Sequence, residues 1–245
     1  MSHNPARSGV SAAQATGTLV QYTHEDGVAT LRLNNGKVNA VSPALIADFN
    51  LALDQAESDA AVVVITGQPG ILSGGFDLKV LQSGPLAALD LVAQGFRLTR
   101  RLLCHTRPVI VACPGHAVAK GAFLLLAADY RIGAQGAFSI ALNEVKIGMT
   151  MPYAALAMAR DRLSPAAFQR AVLLAEVFTP DAAREAGFLD LVVAPEDLMK
   201  AAYNAAQQAK ALDARAHRQT KLRARQALIE ALDAAEQKDR TALTP

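Results

Sequence analysis

Cysteine is scarce in this 245-residue chain. Only Cys104 and Cys113 occur. They are too few for a disulfide framework and lack metal-ligand spacing, so both read as small buried apolar groups in a reducing compartment. Histidine offers no metal site either, because His3, His24, His105, His116 and His217 are scattered without ligand spacing. Neither charge sign dominates: 24 Lys and Arg face 22 Asp and Glu, for a net charge of +2. That balance argues against a chain devoted to nucleic acid. The apolar runs are too short to cross a bilayer. The opening "MSHNPARSGVSAAQATG" has no apolar stretch of signal-peptide length and reads as a flexible tail over residues 1–17. The expectation is a cytoplasmic protein with no metal and no membrane partner.

What is present is a hydrophobic half of the chain, 51% by residue type, enough for one sizeable core. "LVQYTHEDGVATLRLN" holds two β-type runs around "EDG", which is hairpin chemistry. In "SPALIADFNLALDQAESD", Ser42 is placed to cap a helix with Pro43 at its first position, and Leu45, Phe49, Leu53 and Ala56 recur at helical spacing. "AAVVVITG" is a β-branched run of the kind buried on both faces. The cycle continues with a helix over 86–104, a strand over 108–113, a helix over 120–128 and the strand "YRIGA". This alternation predicts an α/β domain with much parallel sheet. After about residue 150 helices dominate. From Pro195 onward they are Ala-rich with modest apolar stripes, which implies that they need a partner surface. The expected organisation is a core over 18–194 and a helical region over 195–245.

Three stretches could carry chemistry. "GQPGILSGGFDLKVL", 67 to 81, is a glycine-rich turn ahead of a helix that starts near Asp77. Glycines let backbone N–H groups approach a ligand, and the helix presents its positive end. The stretch is neither a Walker loop nor a GxGxxG fingerprint. A plain strand-to-helix turn explains it equally well. "PGHAVAKGAF" repeats the arrangement. Two such helix starts could aim N–H donors at one carbonyl oxygen, an oxyanion hole, with Lys120 serving through its backbone. The alternative makes Lys120 a snorkelling side chain at a helix start. In "FSIALNEVKIGMTMP", Glu144 sits among apolar residues, where desolvation would raise its pKa and suit it to proton transfer. The alternative is a surface glutamate paired with Lys146.

Together these stretches resemble the crotonase superfamily, the enoyl-CoA hydratase/isomerase group, from about residue 19 to about 240. "KVNAVSPALIADFNLALD" is similar to the family segment whose backbone meets the CoA adenine, here around Val38 and Ala40. "LSGGFDLKVL" resembles the first oxyanion loop and assigns its N–H to Phe76, within a substrate-binding run of Gly74, Gly75, Asp77 and Leu78. "RPVIVACPGHAVAKGAFLLLAADYRI" resembles the second loop and assigns its N–H to Lys120, beside Gly121. The family's glycine triplet is Ala119-Lys120-Gly121 here, acceptable at Lys120 if its backbone angles are ordinary. "FSIALNEVKIG" places a catalytic carboxylate at Glu144. A second glutamate, which hydratases of this family carry in the helix after the second loop, is replaced by Phe123.

The resemblance implies a crotonase-like ββα spiral core with a C-terminal helical trimerisation region, in a homotrimer or dimer of trimers. It implies an acyl-CoA substrate, with CoA arriving as part of that substrate and no separate cofactor. One glutamate in a dry site suits the shift of a 3-enoyl-CoA double bond to the 2-position, the pattern of the monofunctional isomerases. Hydration or another crotonase-type reaction is one rival. A non-catalytic acyl-CoA-binding protein is a second. A role on RNA, hinted at by "RAHRQTKLRARQ", is a third, though a solvated helix face explains those charges better.

Overall fold

The structure, a computed structural model, describes residues 18–242. The expected tail over 1–17 lies outside the described residues. The first unit is a hairpin, β1 (Val20–Glu25) and β2 (Val28–Leu33), then helix α1 (Pro43–Ser58). Asp26 and Gly27 turn the hairpin with φ of 48° and 74°, the positive pair that matches strand twist. Ser42 caps α1, its hydroxyl accepting from the Leu45 N–H at 3.2 Å.

Three further strand–strand–helix units follow. The first has β3 (Val62–Thr66), β4 (Gly70–Ser73), α2 (Leu78–Gln82) and α3 (Pro85–Cys104). The second has β5 (Val109–Cys113), β6 (Gly115–Val118) and α4 (Lys120–Ala127). The third has β7 (Tyr130–Ala134), β8 (Ile140–Ala141), a short 3₁₀ turn (Val145–Ile147) and α5 (Tyr153–Arg162). Next come α6 (Pro165–Leu174), β9 (Val177–Phe178), α7 (Pro180–Ala186), β10 (Leu191–Val193), α8 (Leu198–Lys210), α9 (Ala214–Ala224) and α10 (Gln226–Ala242).

Each unit feeds two sheets. A six-stranded sheet runs in the order β1-β2-β3-β5-β7-β10 and a four-stranded one in the order β4-β6-β8-β9. From β2 onward the large sheet is parallel, and β4, β6 and β8 are parallel to one another. The sequence reads 67–81 as a glycine-rich turn ahead of a helix, and the start of "PGHAVAKGAF" as a Pro/Gly loop. Both contain strands, β4 and β6, and the reason they are hidden is their glycines. Gly70 pairs with Gly115, and a Cβ on Gly115 would meet the Gly70 carbonyl oxygen at 2.0 Å. Only a bare backbone fits there, so the β-branched signal of a strand is missing.

The run "VVVIT" of β3 is buried at every position, and its two faces serve different cores. Val63 and Ile65 pack in the large cluster with residues of α1, α3, α4 and α5. Val62 and Val64 pack with Ile110, Ala112 and the α8 residues Leu198, Ala202 and Ala206. Thus α8 covers the second face of the sheet. Helix α10 likewise packs on this chain. Its Leu228, Leu232 and Ala235 are buried in the main core. Asp233 pairs with Arg100 of α3 at 2.5 Å, and Glu236 pairs with Arg97. The Asp239 carboxylate accepts from the N–H groups of Tyr153 and Ala154, which caps the otherwise unsatisfied start of α5. Among the described residues no helix is long and apolar enough to cross a membrane.

The Gly70–Gly115 contact makes one substitution decisive. Gly115→Ala forces a methyl into the backbone of β4, where no side chain can move aside. The expected outcome is a loss at or above the roughly 1–3 kcal/mol of ordinary overpacking, read as a lowered midpoint in thermal or urea unfolding. An unchanged midpoint contradicts the β4–β6 register.

Candidate active site

Parallel strands put their carboxyl ends on one side of a sheet, where ligands of α/β proteins collect. In the four-stranded sheet the three residues singled out for chemistry all follow those ends. Phe76 lies just beyond β4, Lys120 just beyond β6 and Glu144 just beyond β8. The strands are neighbours in the order β4-β6-β8, so positions distant in sequence come to one edge.

The first loop is zipped to the segment 38–41. The N–H groups of Gly74 and Asp77 donate to the carbonyls of Val38 and Val41, and the Val41 N–H donates to the Gly75 carbonyl. The Gly75 N–H donates to the Ser73 hydroxyl, which itself donates to the Asn39 carbonyl at 2.7 Å. Among residues 74–77 this leaves the Phe76 N–H without a protein acceptor in the described hydrogen bonds. Gly75 has a φ of 105°, a conformation suited to glycine.

The second loop meets the first at Gly75. A Cβ there would lie 3.0 Å from the Ala119 Cβ and 3.6 Å from the Lys120 nitrogen. The Ala119 N–H donates to the Ala141 carbonyl, and the Ala119 carbonyl accepts from Ala122 and Phe123 as α4 begins. Lys120 and Gly121 open that helix, where N–H groups lack intrahelical partners, and the described bonds give them none. Gly121 packs on the first loop, since a Cβ on it would meet the Ser73 carbonyl oxygen at 2.2 Å. The left-handed angle falls on Ala119, with φ 49° and ψ −120°, and not on Lys120. A methyl-bearing residue there costs on the order of 1–3 kcal/mol.

Of the remaining residues assigned by resemblance, Val38, with Ala40 two residues on, borders Gly74; Val38 and Leu78 are largely exposed. Asp77 caps α2, its carboxylate accepting from the Lys79 N–H at 2.9 Å. Phe123 is in the core, edge-on to Phe96 with ring centroids 5.5 Å apart.

Glu144 is buried, 7% exposed, and its Oε2 has no hydrogen-bond partner. Burial pushes its pKa up to about 7, a rise that its own backbone N–H partly offsets. The alternative of a surface glutamate paired with Lys146 therefore does not describe it. Nor does snorkelling describe Lys120, whose side chain is fully buried. Sequence reading missed Asn39, Ser73, Gly95 and Thr99. Asn39 carried a signal in its polar type at a tight turn, and it adopts φ 46° with its side-chain NH₂ donating to the Leu72 carbonyl. Among the described residues no group of three His, Cys, Asp or Glu side chains could hold a metal ion. Grooves of about 630 Å³ between α5 and α10 and about 680 Å³ beside α8 are lined by none of these site residues.

The fold is that of the crotonase superfamily. The chain belongs to the enoyl-CoA hydratase/isomerase family, whose model matches residues 23–244. It is similar to an enoyl-CoA hydratase/isomerase family protein from Pseudomonas syringae at 61% identity and TM-score 0.91, over 92% of this chain and 98% of that one. It is also similar to an enoyl-CoA isomerase of Mycobacterium tuberculosis at 42% identity and TM-score 0.88, over 92% and 99% of the two chains. The mitochondrial enoyl-CoA delta isomerase 1 of Mus musculus is 31% identical over 184 residues, 73% of this chain and 63% of that protein. The match thus spans under two thirds of the mouse protein's length. Names among the relatives divide between isomerase and hydratase.

The buried carboxyl sets a pH signature on stability. Its pKa of about 7 in the fold exceeds the ordinary 4.5, so the folded state binds the extra proton. That contribution is full below about 4.5 and lost as pH rises through about 7. Relative to the wild type, Glu144→Gln should therefore gain stability as pH rises between those limits, reaching roughly 2–4 kcal/mol by pH 8. Urea midpoints compared at pH 5 and pH 8 check this; an equal difference at both contradicts it.

Proposed function

We propose that this protein is an enoyl-CoA isomerase that shifts a 3-enoyl-CoA double bond to the 2-position with one carboxylate. The observation that carries the reading is Glu144, buried and with its Oε2 unpartnered, beyond the same sheet edge that presents the free N–H groups of Phe76 and Lys120. The thioester oxygen accepts from those two N–H groups. Glu144 takes a proton from C2, and negative charge moves onto the thioester oxygen as a dienolate. Fixed donors stabilise that charge without reorganising. Protonated Glu144 then delivers the proton to C4, and the double bond comes to rest between C2 and C3. Electrons and protons balance within the substrate, so the step asks for no metal and no redox cofactor; CoA is part of the substrate.

Phe123 supports isomerisation over hydration. Addition of water requires a held and activated water, which two carboxylates provide in the resembling hydratases. Here α4 offers only apolar side chains and Lys120 along "KGAFLLLA". An apolar wall leaves the proton on Glu144 to return to the carbon chain. The enzyme works in the cytoplasm on this reading.

A panel of 3-enoyl-CoA and 2-enoyl-CoA substrates, followed for both reactions, tests the assignment. Isomerisation should exceed hydration in the wild type. Glu144→Gln should lower kcat by roughly 10²–10⁴ with acyl-CoA affinity nearly unchanged. The acid limb of kcat/KM should fall about tenfold per pH unit below about 7, the pKa of the base. Full activity in Glu144→Gln, or hydration far faster than isomerisation, contradicts the reading.

We further propose a homotrimer or dimer of trimers. With α10 tied into its own chain, the support shifts to the region of the Glu144 turn. There Val145, Ile147, Leu173, Leu174 and Val177 are large apolar side chains left exposed, more than an isolated surface residue would suggest. Sedimentation at micromolar protein should show no stable monomer.

A further inference from the structure

The Lys120 amine lies where a charged group has little support. It is fully buried, 4.6 Å from the centre of the Phe96 ring and 5.8 Å from that of Phe76. Its hydrogen bond is to the Thr99 hydroxyl at 3.4 Å, and that hydroxyl donates in turn to the Phe96 carbonyl at 2.9 Å. No carboxylate pairs with it among the described ion pairs. Burial holds its pKa well below the usual lysine range, so a neutral amine suits the site.

Helix α3 carries a notch for this side chain. A Cβ on Gly95 would lie 2.4 Å from Phe76 Cε1, 2.5 Å from Phe76 Cζ and 3.2 Å from Lys120 Cε. The ring of Phe76 and the stem of Lys120 therefore share one gap on α3. These are the two residues whose backbone N–H groups the proposed reaction uses. Each side chain leaves the same Cα region as its donor, so seating both over one glycine links the placement of one N–H to the placement of the other.

We propose that the Lys120 side chain is a positioning residue. With Gly95 and Thr99 it fixes the Phe76 loop against the first turn of α4, and so sets the spacing of the two N–H donors. The inference rests on the oxyanion reading above. A filler of equal length such as methionine would occupy the same gap without desolvating an amine. What the amine adds is direction: an N–H toward Thr99 and a nitrogen over the Phe96 ring.

The experiment compares the wild type with Lys120→Met, which keeps the stem and drops the amine, and Thr99→Val, which keeps the volume and drops the acceptor. Two readouts separate positioning from folding. One is the red shift of a bound cinnamoyl-CoA thioester, which reports polarisation of its carbonyl without turnover. The other is kcat against KM for 3-enoyl-CoA isomerisation. In Lys120→Met the red shift should shrink and kcat should fall about 10–100-fold, as for a displaced catalytic group, while binding stays within about threefold. Thr99→Val should move both readouts in the same direction by less. A wild-type red shift and kcat retained in both variants overturns the positioning role and leaves the oxyanion hole standing. A wild type that binds the thioester with no red shift overturns the oxyanion hole, and the positioning role with it.

Discussion

The parallel alignment of β4, β6 and β8 is the constraint on which the rest depends. It sends the three following loops out of one edge, and it tolerates almost no bulk. Gly115 meets the backbone of Gly70, Gly121 meets that of Ser73, and Gly75 approaches Ala119 and the Lys120 nitrogen. Backbones this close can aim N–H groups at a common point only if other polar groups nearby are already satisfied. The Ser73 hydroxyl, the Asn39 side chain and the Val38 and Val41 carbonyls absorb those neighbours. What remains is a small set of free donors. In a dry site such donors interact more strongly with developing charge than they would in water.

The same dryness acts on both ionisable side chains of the site in opposite chemical senses. Glu144 holds its proton more tightly, and Lys120 gives its proton up more readily. Each moves toward its neutral form because neither has an oppositely charged partner to offset desolvation. On the proposed reading of Glu144 as a proton shuttle, a pKa of about 7 is useful: such a group is an effective base near neutrality and an equally effective acid once loaded. For Lys120 the neutral form removes a conflict, since a bare ammonium inside two phenylalanine faces would cost far more than one hydroxyl contact returns.

Legibility in the sequence followed side-chain signals. The α1 cap, the Asp26–Gly27 turn and the fully buried β3 were visible because Ser-Pro, Asp-Gly and Val-Val-Val each have local physical causes. Strands β4 and β6 were not, since their glycines silence the pattern that marks a strand. The self-contained packing of α10 was also hidden: its stripe looks weak alone, but ion pairs to α3 and the Asp239 cap on α5 depend on tertiary placement. Motif resemblance singled out Phe76, Lys120 and Glu144, which lie just beyond the ends of the neighbouring strands β4, β6 and β8. It could not show that the Lys120 side chain turns inward, because a lysine at a helix start reads equally as a solvent-facing residue until Gly95 and Thr99 are seen opposite it.

Phe123 carries the last step. It touches Phe96, and Phe96 lies under the Lys120 amine. A carboxylate in place of Phe123 would therefore enter a region whose packing is built from rings, and it would face a lysine seated close by. A glutamate and an uncharged apolar wall would demand different neighbours there. Phe123 and Phe96 belong together as parts of one apolar packing under the Lys120 amine. On the proposed isomerase reading, a preference for moving a proton within the substrate over adding water would rest on this apolar packing as much as on Glu144 itself.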